Sequence, residues 1–217
     1  MINKNFNIAG VDEAGRGAWA GPVVAATVIL LNIDKIILDS LQDSKKIPEK
    51  KRIRIYLQLI NSAKKSQLYY GIGIASVEEI FHFNILQASM LAMKRSIFNF
   101  QKKFRSQFYI WVDGNQIPKF NFLELSNLSN DFIRFSKSII GGDKFYPQIS
   151  AASIIAKTFR DDLMVNYNKH FPQYRFAKHK GYGTTQHQKA LDIYGICPIH
   201  RKSYKPIERI INSQKYC

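Results

Sequence analysis

Apolar positions gather early in the chain into two short runs, residues 7–11 and 23–31, each of strand length. Further strand-like stretches cover residues 68–74, 108–112 and 132–140, and the last two end at Asp113-Gly114 and Gly141-Gly142-Asp143. Between them the spacing turns helical. Pro48 suits a first helical turn, and Ile53, Leu57 and Ile60 keep one face to about Ala63. Ser76 and Glu79 form a capping box that opens a helix reaching about Asn99, with a break near Asn84. Residues 150–167 make the clearest helix, turning Ile154, Ile155, Phe159 and Leu163 inward. Thr184 caps another helix that ends at Tyr194, with Gly195 as its stop, and helix resumes from Ile207 after Pro206. Residues 114–131, rich in Asn, Ser and aromatics, show no clear period.

Strands that come early, with helices alternating or following, predict a mixed α/β fold. No repeat, low-complexity segment or linker divides the chain, so residues 1–196 are expected to form one domain with residues 197–217 as an appendage packed on it. The longest apolar run, from Val23 to Leu31, is broken by Thr27 and falls short of the roughly 18 residues that span a bilayer. With no leader-like start, a cytoplasmic protein without membrane attachment is expected. Cys197 and Cys217 have no metal-type spacing and make no disulfide scaffold.

Charge changes the picture more. Thirty-two Lys and Arg against sixteen Asp and Glu leave a formal +16. The basic residues cluster, at Lys45-Lys46, Lys50-Lys51-Arg52, Lys64-Lys65, Lys102-Lys103 and residues 178–180, which points to a polyanionic partner.

Acids stand out against this background. Asp12 and Glu13 close the first strand and meet the turn Gly15-Arg16-Gly17. Neighbours on a strand point to opposite faces, so the pair serves one site only if the strand ends or bulges between them. Asp113 and Asp143 also end strands. Acids converging on one sheet edge repel, and either lysines or a divalent cation can relieve them. No Cys/His set suits zinc, and an all-oxygen site favours Mg²⁺ or Mn²⁺, two of which about 3.5–4 Å apart serve phosphodiester hydrolysis. Ser153, Lys157 and Arg160 share one helix face, suited to a nucleic-acid backbone or to an ordinary amphipathic surface. Tyr182, in the basic loop His179-Lys180-Gly181-Tyr182-Gly183-Thr184, either stacks on a nucleotide or packs on the domain. His179, His187 and His200 are expected to be structural or phosphate-facing rather than metal ligands.

Taken in order, Asp12-Glu13-Ala14-Gly15-Arg16-Gly17, Ala20-Gly21-Pro22-Val23, Asp43-Ser44-Lys45-Lys46, Val112-Asp113-Gly114, Gly142-Asp143, residues 150–157 with Arg160-Asp161, and residues 179–184 resemble the ribonuclease HII family, the type 2 ribonucleases H, over nearly the whole chain. Arg16 in place of a lysine, and no large N-terminal extension, resemble type HII rather than HIII. The resemblance implies a ribonuclease H-like mixed five-stranded sheet flanked by helices, with a helical C-terminal part. It implies a Mg²⁺- or Mn²⁺-dependent endonuclease, with two ions when substrate is bound. Its substrates would be RNA–DNA hybrids and duplex DNA with embedded ribonucleotides. Cutting on the 5′ side of the ribonucleotide would leave a 3′-hydroxyl and a 5′-phosphate.

The family's acids fall on Asp12, Glu13, Asp113 and Asp143, its ribonucleotide-sensing turn on Gly15, Arg16 and Gly17, and its junction-sensing tyrosine on Tyr182. Lys45, Lys46, Ser153, Lys157 and Arg160 complete the expected substrate contacts. Asp143 ranks ahead of Asp131 and Asp161 because it follows glycines and precedes residues 150–157 at the family's distance. Gly141, where the family often has lysine, the long segment 114–142, and Ala18-Trp19 depart from the pattern. A non-catalytic nucleic-acid-binding protein on the same fold is the alternative, and a recombinase or integrase with a ribonuclease H-like core is a third. Protein partners are not specified by the sequence.

Overall fold

Ile8–Ala14 forms β1, the middle strand of a five-stranded sheet. Val23–Leu30 (β2) and Leu68–Ala75 (β3) extend the sheet antiparallel on one side. Tyr109–Asp113 (β4) and Lys137–Ile139 (β5) extend it parallel on the other, giving the order β3-β2-β1-β4-β5. The structure, a computed structural model, describes residues 7–41, 47–120 and 136–214. Residues 132–135 of the 132–140 strand expectation, the Asp43-Ser44-Lys45-Lys46 loop and Asp131 lie outside the described residues, while the remainder of that strand expectation holds β5.

The central strand runs further than its apolar residues suggest. β1 continues through Asp12 and Glu13 to Ala14, paired with Ala26, Ala25 and Val24. β2 keeps it in register after its pairing with β4 has stopped at Val11–Val112. No bulge separates the two acids; what ends just before them is the pairing with β4, and beyond that end the charge of Asp113 reaches both.

Both faces of the sheet are covered, which is why β2 reads as a nearly unbroken apolar run. On one face Ala9, Val11, Val112 and Phe108 meet Phe100 and Ile97 of α3, Val77–Gln101. On the other, Val24, Ala26 and Val28 meet Ile37 of α1 (Lys35–Ser40), Ile55 and Leu59 of α2 (Glu49–Lys64), and Ala151 and Ile155 of α4 (Pro147–His170). The six-residue α1 was not foreseen; Asp34 stands at its N-cap but makes no side-chain cap bond. A third core joins Met164 of α4 to α5 (Phe176–His179), α6 (Thr185–Tyr194) and Ile207 of α7 (Lys205–Gln214). No described helix is long and apolar enough to cross a membrane.

Local chemistry sets the helix ends. The Ser76–Glu79 capping box is complete, with the Glu79 amide donating to Ser76 Oγ (3.1 Å) and the Ser76 amide to Glu79 Oε2 (2.8 Å). Asn84 breaks α3 at φ 62°, and its Oδ1 accepts from the Leu86 and Gln87 amides, restarting the helix. Past the break, Arg95, Asn99 and Lys103 donate to the carbonyls of Ile74, Ile72 and Tyr70 along the free edge of β3. Four residues of helix and two of strand both advance roughly 6 Å, so helix and edge stay in step.

At the centre, α4 lies directly on β1. A Cβ at Gly10 would stand 2.3 Å from the Gln148 backbone carbon, so only glycine allows this approach. The first turns of α4 are thereby brought over the strand that carries the acids.

Candidate active site

The acids meet where the sheet runs out. Asp12 is on the α4 face of β1, Glu13 on the opposite one, and Asp113 is the last residue of β4. Asp113 Oδ1 accepts from the Gly142 amide at 2.7 Å, which anchors the 3₁₀ turn Gly142–Lys144 against it. Asp143, fully buried, follows in that turn.

Burial pushes the Asp12 carboxyl well above the usual carboxylate range, and the charges of Glu13 and Asp113 push it further. The Ser153 hydroxyl and the Glu13 amide, 2.7 Å from Asp12 Oδ1, oppose that rise without cancelling it. Glu13 is also raised by burial and by Asp113, against the pull of Arg16, whose Nη1 lies 3.3 Å from Glu13 Oε1. Three carboxylates thus share one field at a strand end. Among the described residues no three His, Cys, Asp or Glu side chains are closed into a metal cage. The donor chemistry fits a hard divalent cation nonetheless: all oxygen, mutually repelling, and relieved by positive charge.

Beside the acids, the turn at residues 15–17 is fixed from below. Gly15 has φ +97°, and a Cβ there would stand 2.0 Å from Arg160 Nε. At Gly17 a Cβ would meet nothing within 4 Å. Arg160 is therefore not the phosphate-facing residue expected from its helical spacing. It is 1% exposed, and its Nε, Nη2 and Nη1 donate to the carbonyls of Pro22 (2.9 Å), Ala20 (3.0 Å) and Lys180 (3.0 Å). The third core closes over this end of α4 and turns an apparent surface face inward. Ser153, half-buried, turns its hydroxyl to Asp12.

Lys157, between them on the same face, keeps a side chain 40% exposed. Its Nζ lies 5.7 Å from the centre of the Tyr182 ring, and the Arg160 guanidinium lies 5.3 Å from it. The half-buried Tyr182 is thus tied to the turn through Arg160. Backbone bonds add to this tie, since the Trp19 and Ala20 amides both donate to the Gly181 carbonyl (2.8 and 3.2 Å). Trp19 also lies against His187, and its ring fills the place a Cβ on Gly183 would need. That packing accounts for Ala18-Trp19.

The three histidines are buried and structural. His200 Nδ1 accepts from the Cys197 amide (2.8 Å), so its Nε2 carries the proton and donates to His187 Nε2 (3.0 Å). His187 Nδ1 then donates to the Tyr182 carbonyl (3.0 Å). Burial pushes His187 down to about 4 and His200 down to about 3.

The profile of the ribonuclease HII family matches residues 9–207. The chain belongs to the ribonuclease HII family. Membership makes it a ribonuclease H, an endonuclease that hydrolyses RNA in RNA–DNA hybrids. The ribonuclease HII of Francisella tularensis (strain WY96-3418) is 44% identical over 205 residues, covering 94% of this chain and 98% of that one. The ribonuclease H2 of Pyrococcus horikoshii OT3 has the same fold, with a TM-score of 0.67 at 22% identity over 98% of this chain and 100% of that one. Bst-RNase HIII, solved in complex with Mn²⁺, superposes with a TM-score of 0.67 at 15% identity over 98% and 71% of the two chains.

Of the family's expected residues, the structure gathers Asp12, Glu13 and Asp113, with Asp143 one residue beyond the Asp113 contact. Lys45 and Lys46 lie outside the described residues. Asp161, a rival for the fourth acid, is bound to Arg52 at 2.6 Å. Sequence reasoning missed Arg201 and Tyr204, which sit under the turn. Arg201 reads as one more base in His200-Arg201-Lys202, and no local pattern marks it as buried.

Proposed function

We propose that this ribonuclease HII cuts the phosphodiester on the 5′ side of a ribonucleotide, in RNA–DNA hybrids and in duplex DNA with embedded ribonucleotides. The observation that carries this reading is the placement of three carboxylates, with Asp12 and Glu13 raised by burial and by the charge of Asp113, next to the open Gly17 of a rigidly held turn. Mg²⁺ or Mn²⁺, two ions with substrate, held by Asp12, Glu13, Asp113 and Asp143, would supply an activated water and neutralise the charge on the leaving oxygen. That Bst-RNase HIII, a protein of the same fold, was solved in complex with Mn²⁺ supports the use of a divalent metal.

The chain's own residues do the rest. Ser153 and the Glu13 amide orient the Asp12 carboxylate. Arg16, half-exposed and held on its side chain, among the described residues, only by Glu13, is free to turn to a phosphate once a cation takes Glu13's charge. Lys157 reaches the phosphate backbone from beside Tyr182, and the bare backbone at Gly17 lets the 2′-hydroxyl come close. The Tyr182 ring packs on the sugar 3′ to the ribonucleotide, where a deoxyribose leaves room. Water adds to phosphorus, the bond to the 3′-oxygen breaks, and that oxygen leaves as a hydroxyl.

The test is cleavage of an RNA–DNA hybrid in EDTA, Mg²⁺ and Mn²⁺ by wild type and Asp113→Asn. Cutting that needs metal and is lost in the variant is expected. Equal cutting by both proteins, or cutting in EDTA, would refute the assignment of the acids.

A further inference from the structure

The Arg16 carbonyl is held from the protein side by two donors that come from the far end of the chain. Arg201 Nη1 donates to it at 2.8 Å, and the Tyr204 hydroxyl donates to it as well. The pair is itself joined, Arg201 Nη1 to Tyr204 Oη at 3.0 Å. Arg201 has no freedom to do otherwise. Its Nε donates to the Gly21 carbonyl (2.8 Å), its Nη2 to that of Pro22 (3.2 Å) and its own amide to that of Trp19 (2.8 Å), and it is 0% exposed.

One peptide unit links that carbonyl to the next amide. In a trans peptide the C=O of Arg16 and the N–H of Gly17 point in opposite directions. With the carbonyl pinned inward, the Gly17 N–H must point outward. Gly17 is exposed, its amide has no acceptor among the described residues, and its Cβ direction is open for 4 Å.

We infer that Arg201 and Tyr204 are positioning residues for ribose recognition: by holding the Arg16 carbonyl they fix the Gly17 N–H as a donor aimed at the sugar. The inference rests on the proposed role of the turn and adds what orients it. The Gly17 N–H meets an acceptor on the ribose side, the 2′-oxygen, which a deoxyribose lacks. Two donors on one carbonyl exceed what filling it requires, since Arg201 alone would satisfy it. The second donor narrows the rotation of the peptide plane, and rotation is what would spoil the aim.

Tyr204→Phe removes that donor alone and leaves the carbonyl bonded to Arg201, so the fold should persist. Arg201→Lys keeps the charge but loses the fork. The measurement is the dissociation constant in EDTA for two duplexes, one with a single ribonucleotide and one all-DNA, alongside a thermal melt. In Tyr204→Phe the ratio of the two constants should shrink by about 2- to 10-fold, the worth of one neutral hydrogen bond, with all-DNA affinity unchanged. Arg201→Lys should shrink it at least as much. An unchanged ratio in both variants, or equal losses on both duplexes, would overturn the inference while leaving the turn's role intact. A wild-type ratio of one would overturn that role, and the inference with it.

Discussion

Gly15 rests on the guanidinium of Arg160, so closely that a Cβ on Gly15 would stand 2.0 Å from Arg160 Nε. Gly17, two residues on, has open space where its Cβ would be. The two glycines therefore fail in different ways when substituted. Gly15→Ala meets both the clash and a φ of +97°, a strain of about 1–3 kcal/mol, and should lower the melting temperature together with activity. Gly17→Ala should melt with wild type yet lose cleavage at a ribonucleotide. Thermal melts paired with kcat/KM check this, and a Gly17→Ala enzyme of full activity would remove the turn from the substrate site.

Lys157 and Arg160 should also part company. Lys157→Ala should flatten the slope of log K against log salt by roughly 0.9, one phosphate contact. Arg160→Ala should leave that slope nearly alone but strip donors from the buried carbonyls of Pro22 and Ala20, at about 1–3 kcal/mol each, and from the part-buried one of Lys180. Binding titrations across salt and denaturant melts separate the two. A changed slope for Arg160→Ala at unchanged stability would restore it to the substrate surface.

The raised carboxylates set a pH dependence of known sign. An acid whose pKa is higher folded than unfolded binds more protons when folded, so its stabilising share is present at low pH and lost as pH rises through the folded value. Asp12 and Glu13 behave this way. Asp12→Asn should therefore stabilise the metal-free protein near pH 8, the gain fading toward pH 4, while abolishing activity. Mg²⁺ should raise the melting temperature of wild type more than that of the variant. A variant less stable than wild type at pH 8 without metal would show that the acids do not strain this site.

The buried histidines act in the opposite direction. With folded values of about 4 for His187 and about 3 for His200, the unfolded chain takes up protons first as pH falls. Each should cost about 1.5 kcal/mol of stability between pH 6.5 and pH 5. A His187→Gln/His200→Gln variant, though less stable at pH 7.5, should lose that dependence. Urea unfolding of both proteins at these pH values tests it, and parallel profiles would place the titration elsewhere.

Signals carried by adjacent residues were readable in advance. The Ser76–Glu79 box, the break at Asn84, the Thr184 cap and the Gly195 stop each declare themselves within a few residues. Asp12, Glu13 and Asp113 could be picked out because glycines follow strand-like runs. Helical period put Ser153, Lys157 and Arg160 on one face but says nothing of what covers that face, and the residue 20–22 loop with Lys180 and Tyr182 covers only its C-terminal part. Arg201 and Tyr204 meet Arg16 across 185 and 188 residues, and no local pattern encodes such a contact. The extent of β1 depended on its register with β2, which a single strand's composition does not carry.

The most direct test of the account is to map the ends produced from a duplex bearing one ribonucleotide, in Mg²⁺, beside an all-DNA duplex of the same sequence. The acids and turn together predict a single cut on the 5′ side of the ribonucleotide, with a 3′-hydroxyl upstream, a 5′-phosphate on the ribonucleotide, and an untouched all-DNA duplex. A cut on the 3′ side leaving a cyclic phosphate, or equal cutting of the all-DNA duplex, would show that neither the acids nor the turn does what is proposed for them.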